Sequence, residues 1–200
     1  MNFWGKIWYA MVPNNPVFGL ALGLCSTLAV TTGIENAFFM SVMVTFTIVF
    51  SSVTVSIIRY QIPFRFRLLV YMLIVSTAVI SSEQILRAFY PEVARALGPY
   101  VGLIITNCIV LGRLEAFASC NSPWGSFLDA IGVGCGYGAV LLLMAAIREF
   151  FGNGTLWGLK AAPAGYIPCR ILNSPPGAFL VLAGLIFLIN YFKPYAGREK

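Results

Sequence analysis

Histidine is absent from all 200 residues, which removes the commonest general base and transition-metal ligand. Charge is scarce as well. Asp, Glu, Lys and Arg make up 10% of the chain, against about 25% in a soluble domain. The net charge of +6 comes from scattered basic residues with no soluble basic domain behind them, so nucleic acid is excluded as a partner and loop topology explains the excess. The five cysteines are odd in number and lie in apolar spans and the loops between them, which is not the arrangement of a disulfide scaffold. The first fifteen residues hold Lys6 but no apolar run ahead of a small-residue cleavage site, so no removable signal peptide is expected.

What remains is apolar. Hydrophobic residues are 59% of the chain and the mean hydropathy is +0.84, as in an integral membrane protein. A bilayer core about 30 Å thick takes roughly 17–25 helical residues per crossing, so this length accommodates about six spans. They are read at about residues 16–32, 37–58, 68–88, 99–112, 125–147 and 177–192, in one membrane domain covering 1–200. Trp4, Trp8 and Tyr9 mark an interfacial lead-in before the first span. Residues 91–98 read as a loop with Glu92 and Arg95, and residues 148–176 as a long Gly- and Pro-rich loop. Glu83 and Arg87 stand one helical turn apart, the spacing of an interfacial salt bridge. Gly132, Gly134, Gly136 and Gly138 do not complete G-x-G-x-x-G, because the last position is Tyr137. They do form small-xxx-small pairs that allow close helix contact.

The chain repeats itself. Pro16-Val-Phe-Gly-Leu-Ala-Leu-Gly-Leu-Cys25 and Pro99-Tyr-Val-Gly-Leu-Ile-Ile-Thr-Asn-Cys108 share Pro, Gly, Leu and Cys at four matched places. Related tags follow, Glu35-Asn-Ala-Phe38 and Glu115-Ala-Phe117. The two copies are read as repeats at about 16–90 and 99–192, and three spans each make them inverted across the bilayer. Short or broken spans at matched positions mark the site in repeat-built membrane proteins, and the first and fourth spans are both short. In each copy a proline starts an apolar helix, and nine residues further on a cysteine would lie roughly 13.5 Å along it, close to the midplane. The Lys and Arg residues divide eight against five. Lys6, Arg59, Arg65, Arg67, Arg113, Lys193, Arg198 and Lys200 lie on the side of both termini, and Arg87, Arg95, Arg148, Lys160 and Arg170 lie opposite. Both termini are therefore expected in the cytoplasm.

An isolated cysteine in a span usually serves as a small apolar residue, and Cys135, between glycines, fits that description. Cys120 and Cys169 sit in loops beside prolines. Cys25 and Cys108 differ because the repeat places them equivalently. Thiolates suit iron–sulfur clusters, zinc or copper(I). A two-iron cluster usually takes four cysteines; one chain offers two at the matched places, and a second, homologous chain could offer the other two. Arg113 and Glu115 follow Cys108 within about two helical turns. They are candidates for supporting the end of that half-helix or for biasing an ion path.

Gly23-Leu-Cys25-Ser-Thr-Leu-Ala-Val-Thr-Thr32, Val101 to Ala118 with Gly112-Arg-Leu-Glu-Ala-Phe-Ala118, Ser126-Phe-Leu-Asp129, the glycine run and Arg148-Glu149 together resemble the NqrD/RnfE family of membrane subunits. The resemblance covers nearly the whole chain. It implies an all-α integral membrane protein of six transmembrane helices in two inverted three-helix repeats. It also implies a homologous partner inserted upside down (NqrE, or RnfA in the related complex) and a [2Fe–2S] cluster held by Cys25, Cys108 and two partner cysteines. The family works in six-subunit complexes of the bacterial inner membrane that pass electrons from NADH to ubiquinone while exporting sodium, as one part of a translocase. FAD, FMN and riboflavin lie elsewhere in that complex, and this chain shows no motif for NADH, covalent flavin or quinone. Cys120, Cys135 and Cys169 are not used by the family motif. The alternatives are an RnfE-type subunit of an ion-translocating ferredoxin:NAD oxidoreductase, an autonomous inverted-repeat ion transporter, and a structural scaffold. A transporter needs polar or charged groups at midspan, whereas Glu35, Arg113, Glu115 and Asp129 sit near the expected span ends.

Overall fold

The computed structural model describes residues 22–31, 33–153, 155–156, 159–160 and 174–192. Its helices are α1 (Leu24–Val30), α2 (Ile34–Ile58), α3 (Arg67–Phe89), α4 (Pro91–Leu97), α5 (Val101–Ile105), α6 (Cys108–Arg113), α7 (Pro123–Asn153) and α8 (Pro175–Phe192). A single π-turn, Leu114–Ala118, continues α6. Thr155–Leu156 and Leu159–Lys160 form a two-residue antiparallel ribbon. Four stretches among the described residues are long and apolar enough to cross a bilayer: Ile34–Ile58, Phe64–Phe89, Gly98–Ala118 and Pro123–Gly152. The fold is an all-α integral membrane fold.

Spans two, three and five of the sequence reading correspond to α2, α3 and α7. The stretch 91–98, expected as a loop, is mostly the helix α4. Pro91 takes the first helical position, where its missing N–H is no loss, and Glu92 lies in the first turn. The fourth span does not end at 112, because the backbone stays helical through the π-turn to Ala118. Arg148 and Glu149 are not in a loop, since α7 runs on to Asn153. Arg148 therefore leaves the set of loop charges that favoured the orientation. The segment read as the sixth span is the helix α8, whose apolar stretch from Pro176 to Phe187 is shorter than the four long stretches. Pro16 and the start of the first span lie outside the described residues, as do Cys169 and the chain ends.

The centre of the molecule is the pair α2 and α7. Ser41 faces Gly138, Thr45 faces Gly134, and Ser56 bonds the carbonyl of Asn121 at 2.6 Å. The register is therefore antiparallel. Lipid tails are as apolar as leucine, so helices in a bilayer associate through close packing rather than water exclusion. The glycines permit that approach. A Cβ on Gly134 would lie 2.6 Å from Thr45 Cγ2, and one on Gly138 would collide with Ser41 Oγ. Met40, Val44, Ile48, Val75, Val79, Leu141 and Met144 fill the buried core around this contact. Hydroxyls in these helices turn back on their own backbone. Thr45 bonds the Ser41 carbonyl, Thr47 that of Met43 and Ser51 that of Thr47, at 2.8, 2.8 and 2.5 Å. This satisfies polar groups where no water would. Phe46, Phe50, Leu69, Leu73 and Ile80 face outward, as the surface of a protein dissolved in lipid does.

Candidate functional site

Two helix starts meet beside the α2–α7 pair. The first is at Gly23, which adopts φ +77° and starts α1 without a side-chain cap. Only glycine takes that left-handed conformation without strain. Space is closed as well, for a Cβ there would sit 2.5 Å from Ile109 Cδ1 and 3.3 Å from the Tyr137 ring. The second follows a break at Thr106–Asn107, between α5 and α6. Asn107 is extended (φ −67°, ψ 120°), and its Oδ1 accepts the Ile109 N–H at 3.1 Å, an N-cap. The apolar run from Pro99 is thus not one helix. Cys108 does not lie partway along a continuous rod, as the 13.5 Å estimate assumed, but opens a new helix.

These helix starts bring the matched cysteines together. The backbone N–H of Gly23, two residues before Cys25, donates to Cys108 Sγ at 3.0 Å. Cys25 is exposed and Cys108 half-buried, so the pair lies at the surface of the chain. Beneath it is a closed polar knot. Ser26 Oγ donates to the Gly23 carbonyl at 3.0 Å and shares a 2.6 Å hydrogen bond with Tyr137 OH. Asn107 Nδ2 donates to Ser26 Oγ at 3.2 Å. Ser26, Asn107 and Tyr137 are fully buried, and each has its partner, as buried polar groups require. The Ser26–Asn107 bond ties the start of α1 to the start of α6.

The other candidates fall elsewhere. Cys120 is exposed past the π-turn, 3.4 Å from Ser119 Oγ, and Cys135 is exposed on α7 rather than buried among its glycines. Arg113 does not bond Glu115. Its guanidinium grips both carboxylate oxygens of Asp129 on α7 and lies over the Phe117 ring. Glu115 pairs instead with Arg67 of α3 at 3.4 Å, in a more exposed setting. Arg113 and Glu115 therefore fasten the end of the α6 segment to two different helices.

Four participants had no site role in the sequence reading. Asn107 carried the usual signal of a helix start, an Asn before an apolar helical run, but stood inside a stretch read as one span. Tyr137 served only to reject a nucleotide loop, although a tyrosine among glycines in a span needs a partner for its hydroxyl. Arg148 and Glu149 are 1% and 6% exposed, and both bond the segment joining α1 to α2.

Residues 3–186 match the family described as "Rnf-Nqr subunit, membrane protein". The chain belongs to the Rnf-Nqr family of membrane subunits. Among its relatives is the D-type subunit of the Na(+)-translocating NADH-quinone reductase of Shewanella denitrificans, 46% identical over 189 residues that cover 92% of this chain and 90% of that protein. The D-type subunits of the same reductase in Shewanella halifaxensis and Psychromonas ingrahamii are 46% and 43% identical over the same span. As a Rnf-Nqr subunit with four long apolar helices, it is a multi-pass inner-membrane protein. Among its described residues, no three or more Cys, Asp or Glu side chains gather where they would hold a metal. The chain presents a pair of sulfurs at its surface, one of them already receiving a backbone N–H. That donor set fits one half of a four-thiolate cluster site and is too small for a complete one.

Proposed function

We propose that this chain is the electron-carrying membrane subunit of a sodium-translocating NADH:ubiquinone reductase. In this reading Cys25 and Cys108 supply two of the four ligands of a [2Fe–2S] cluster. A homologous subunit of the same complex, inserted in the opposite orientation, supplies the other two cysteines. The observation that carries the reading is the pairing of the two matched cysteines at an outward face, with the Gly23 N–H on Cys108 Sγ. The relatives named as D-type subunits of such a reductase support the choice of complex.

When bound, such a cluster supplies one-electron transfer. The residues of this chain define its half of the site. Gly23 donates to a sulfur and so favours the more negatively charged state at that atom. Ser26, Asn107 and Tyr137 fix the two helix starts relative to each other. Arg113–Asp129 and Arg67–Glu115 support the end of the α6 segment, and Glu115 is the residue from which an ion path is biased. Six spans in two inverted repeats, about 16–90 and 99–192, with both termini cytoplasmic, complete the reading. NADH, FAD, FMN, riboflavin and ubiquinone are handled by other subunits.

The test is replacement of each cysteine by alanine in the intact complex, read by iron content and by the EPR signal of the reduced cluster. Cys25→Ala and Cys108→Ala each remove that signal and quinone reduction, while NADH oxidation at the flavin subunit persists. Cys120→Ala, Cys135→Ala and Cys169→Ala retain both. Persistence of the cluster without Cys25 or without Cys108 overturns the reading. Iron that survives the substitutions while sodium still moves would favour the autonomous transporter. An RnfE-type role differs in the electron donor, and the neighbouring reading frames decide it.

A further inference from the structure

Arg148 and Glu149 are adjacent on α7, far along the chain from either cysteine, and both are buried. Buried charges in a membrane protein are costly and mark function or a specific partner. Here they bracket the reversal between α1 and α2. A helix end leaves carbonyls without partners, and a helix start leaves N–H groups without partners. One nitrogen of Arg148 donates to the Leu28 carbonyl at 3.1 Å and to Thr31 Oγ1 at 2.5 Å, at the end of α1. Glu149 Oε2 accepts the Ile34 N–H at 2.8 Å, at the first residue of α2.

The contact does not stop there. Thr31 Oγ1 donates to the Thr27 carbonyl at 2.6 Å. Thr27 Oγ1 and N–H both donate to the Gly23 carbonyl, at 2.8 and 3.1 Å. The Gly23 N–H donates to Cys108 Sγ. A ladder of hydrogen bonds thus runs the length of α1, from the Arg148 guanidinium at one end to the Cys108 sulfur at the other. Seven residues make a helix too short to hold itself in water or by propensity, so its placement depends on what grips its ends. We infer that Arg148 and Glu149 are positioning residues for the sulfur pair: they fix the height and rotation of α1 so that Gly23 meets Cys108 and Cys25 stands beside it. The consequence for redox chemistry rests on the reading of Cys25 and Cys108 as ligands, whereas the grip on α1 does not.

The experiment uses the purified complex carrying Arg148→Met, which keeps length but donates nothing, beside Arg148→Lys, whose single nitrogen restores a donor. Thr31→Val is the second variant should Arg148→Met not assemble, since it removes the ladder's first rung at constant shape. Two readouts are taken. Amide hydrogen exchange over residues 23–34 reports the grip without reference to any cluster. The midpoint potential of the EPR signal that depends on Cys25 reports the sulfur pair. Arg148→Met is expected to speed exchange in that segment about tenfold, the loss of roughly one hydrogen bond. It should also shift the midpoint downward, because the Gly23 donor that stabilises the reduced state is no longer aligned. Arg148→Lys recovers most of both. Unchanged exchange over residues 23–34 overturns the grip. Faster exchange with an unmoved midpoint overturns the positioning role. If no EPR signal depends on Cys25, the proposed ligand set fails while the exchange result still decides the grip.

Discussion

The two matched cysteine stretches reach the same end by different means. In the first, Gly23 starts the helix through its own backbone: a left-handed φ, no side chain, and contact so close that Ile109 and Tyr137 occupy the place of a Cβ. In the second, Asn107 starts it through a side chain that caps α6 and reaches across to Ser26. Cys25 is the second residue of its helix and Cys108 the first of its own. The lesson is that the two matched stretches share a sulfur at a helix start, not the residue that makes the start. The far ends differ too. The α1 segment is held by Arg148 and Glu149 from α7, and the α6 segment by Asp129 of α7 and Arg67 of α3. In both cases α7 is the frame against which a short helix is set.

That comparison can be broken most severely at Arg113. Replacing it with Met leaves Asp129 as a part-buried carboxylate without its guanidinium, a loss of about 3–5 kcal/mol. The expected outcome is a complex that assembles poorly and inactivates at markedly lower temperature in detergent. Gly23→Val comes next. The left-handed backbone costs a β-branched residue about 1–2 kcal/mol, and displacing Ile109 adds about 1–3 kcal/mol of overpacking. Thermal inactivation should again move down, with Cys25 more reactive to a maleimide than in the parent complex. Asn107→Ala removes the cap and the bond to Ser26, which keeps the Gly23 carbonyl and Tyr137 as partners, at about 1–3 kcal/mol. If the two helix starts were interchangeable devices, Asn107→Gly would be milder than Asn107→Ala; the lost bond to Ser26 predicts that both fall equally. The smallest structural effect belongs to Glu115→Gln. An ion pair this exposed contributes about 0–1 kcal/mol, so stability should hardly change. Sodium transport should nonetheless fall if Glu115 biases an ion path, and normal sodium-coupled turnover counts against that role.

What was legible in the sequence follows from the same physics. Long apolar runs announce α2, α3 and α7, because a bilayer crossing imposes a length and little else. The matched places of Cys25 and Cys108 are visible without coordinates, because four residue types recur at the same spacing in the two stretches. The break before Cys108 was hidden: Leu-Ile-Ile-Thr-Asn-Cys-Ile-Val reads as one span until Asn107 is seen to satisfy the backbone it interrupts. Helix α4 was hidden because Pro91 reads equally as a stop and as a first helical residue. Arg148 and Glu149 were hidden for a related reason. Charges near the end of an apolar run look like loop residues, and only the folded chain brings the unpaired ends of α1 and α2 against them.

The central claim is that two helix starts present Cys25 and Cys108 as one half of an iron site completed by a second, homologous chain. An iron anomalous difference map of the intact complex tests it most directly. The account predicts a peak against both Cys25 Sγ and Cys108 Sγ, at the face where that homologous chain contributes two further sulfurs, and none near Cys120 or Cys135. Iron located away from the Cys25–Cys108 pair, or a Cys25–Cys108 pair buried against lipid with no iron beside it, would contradict it.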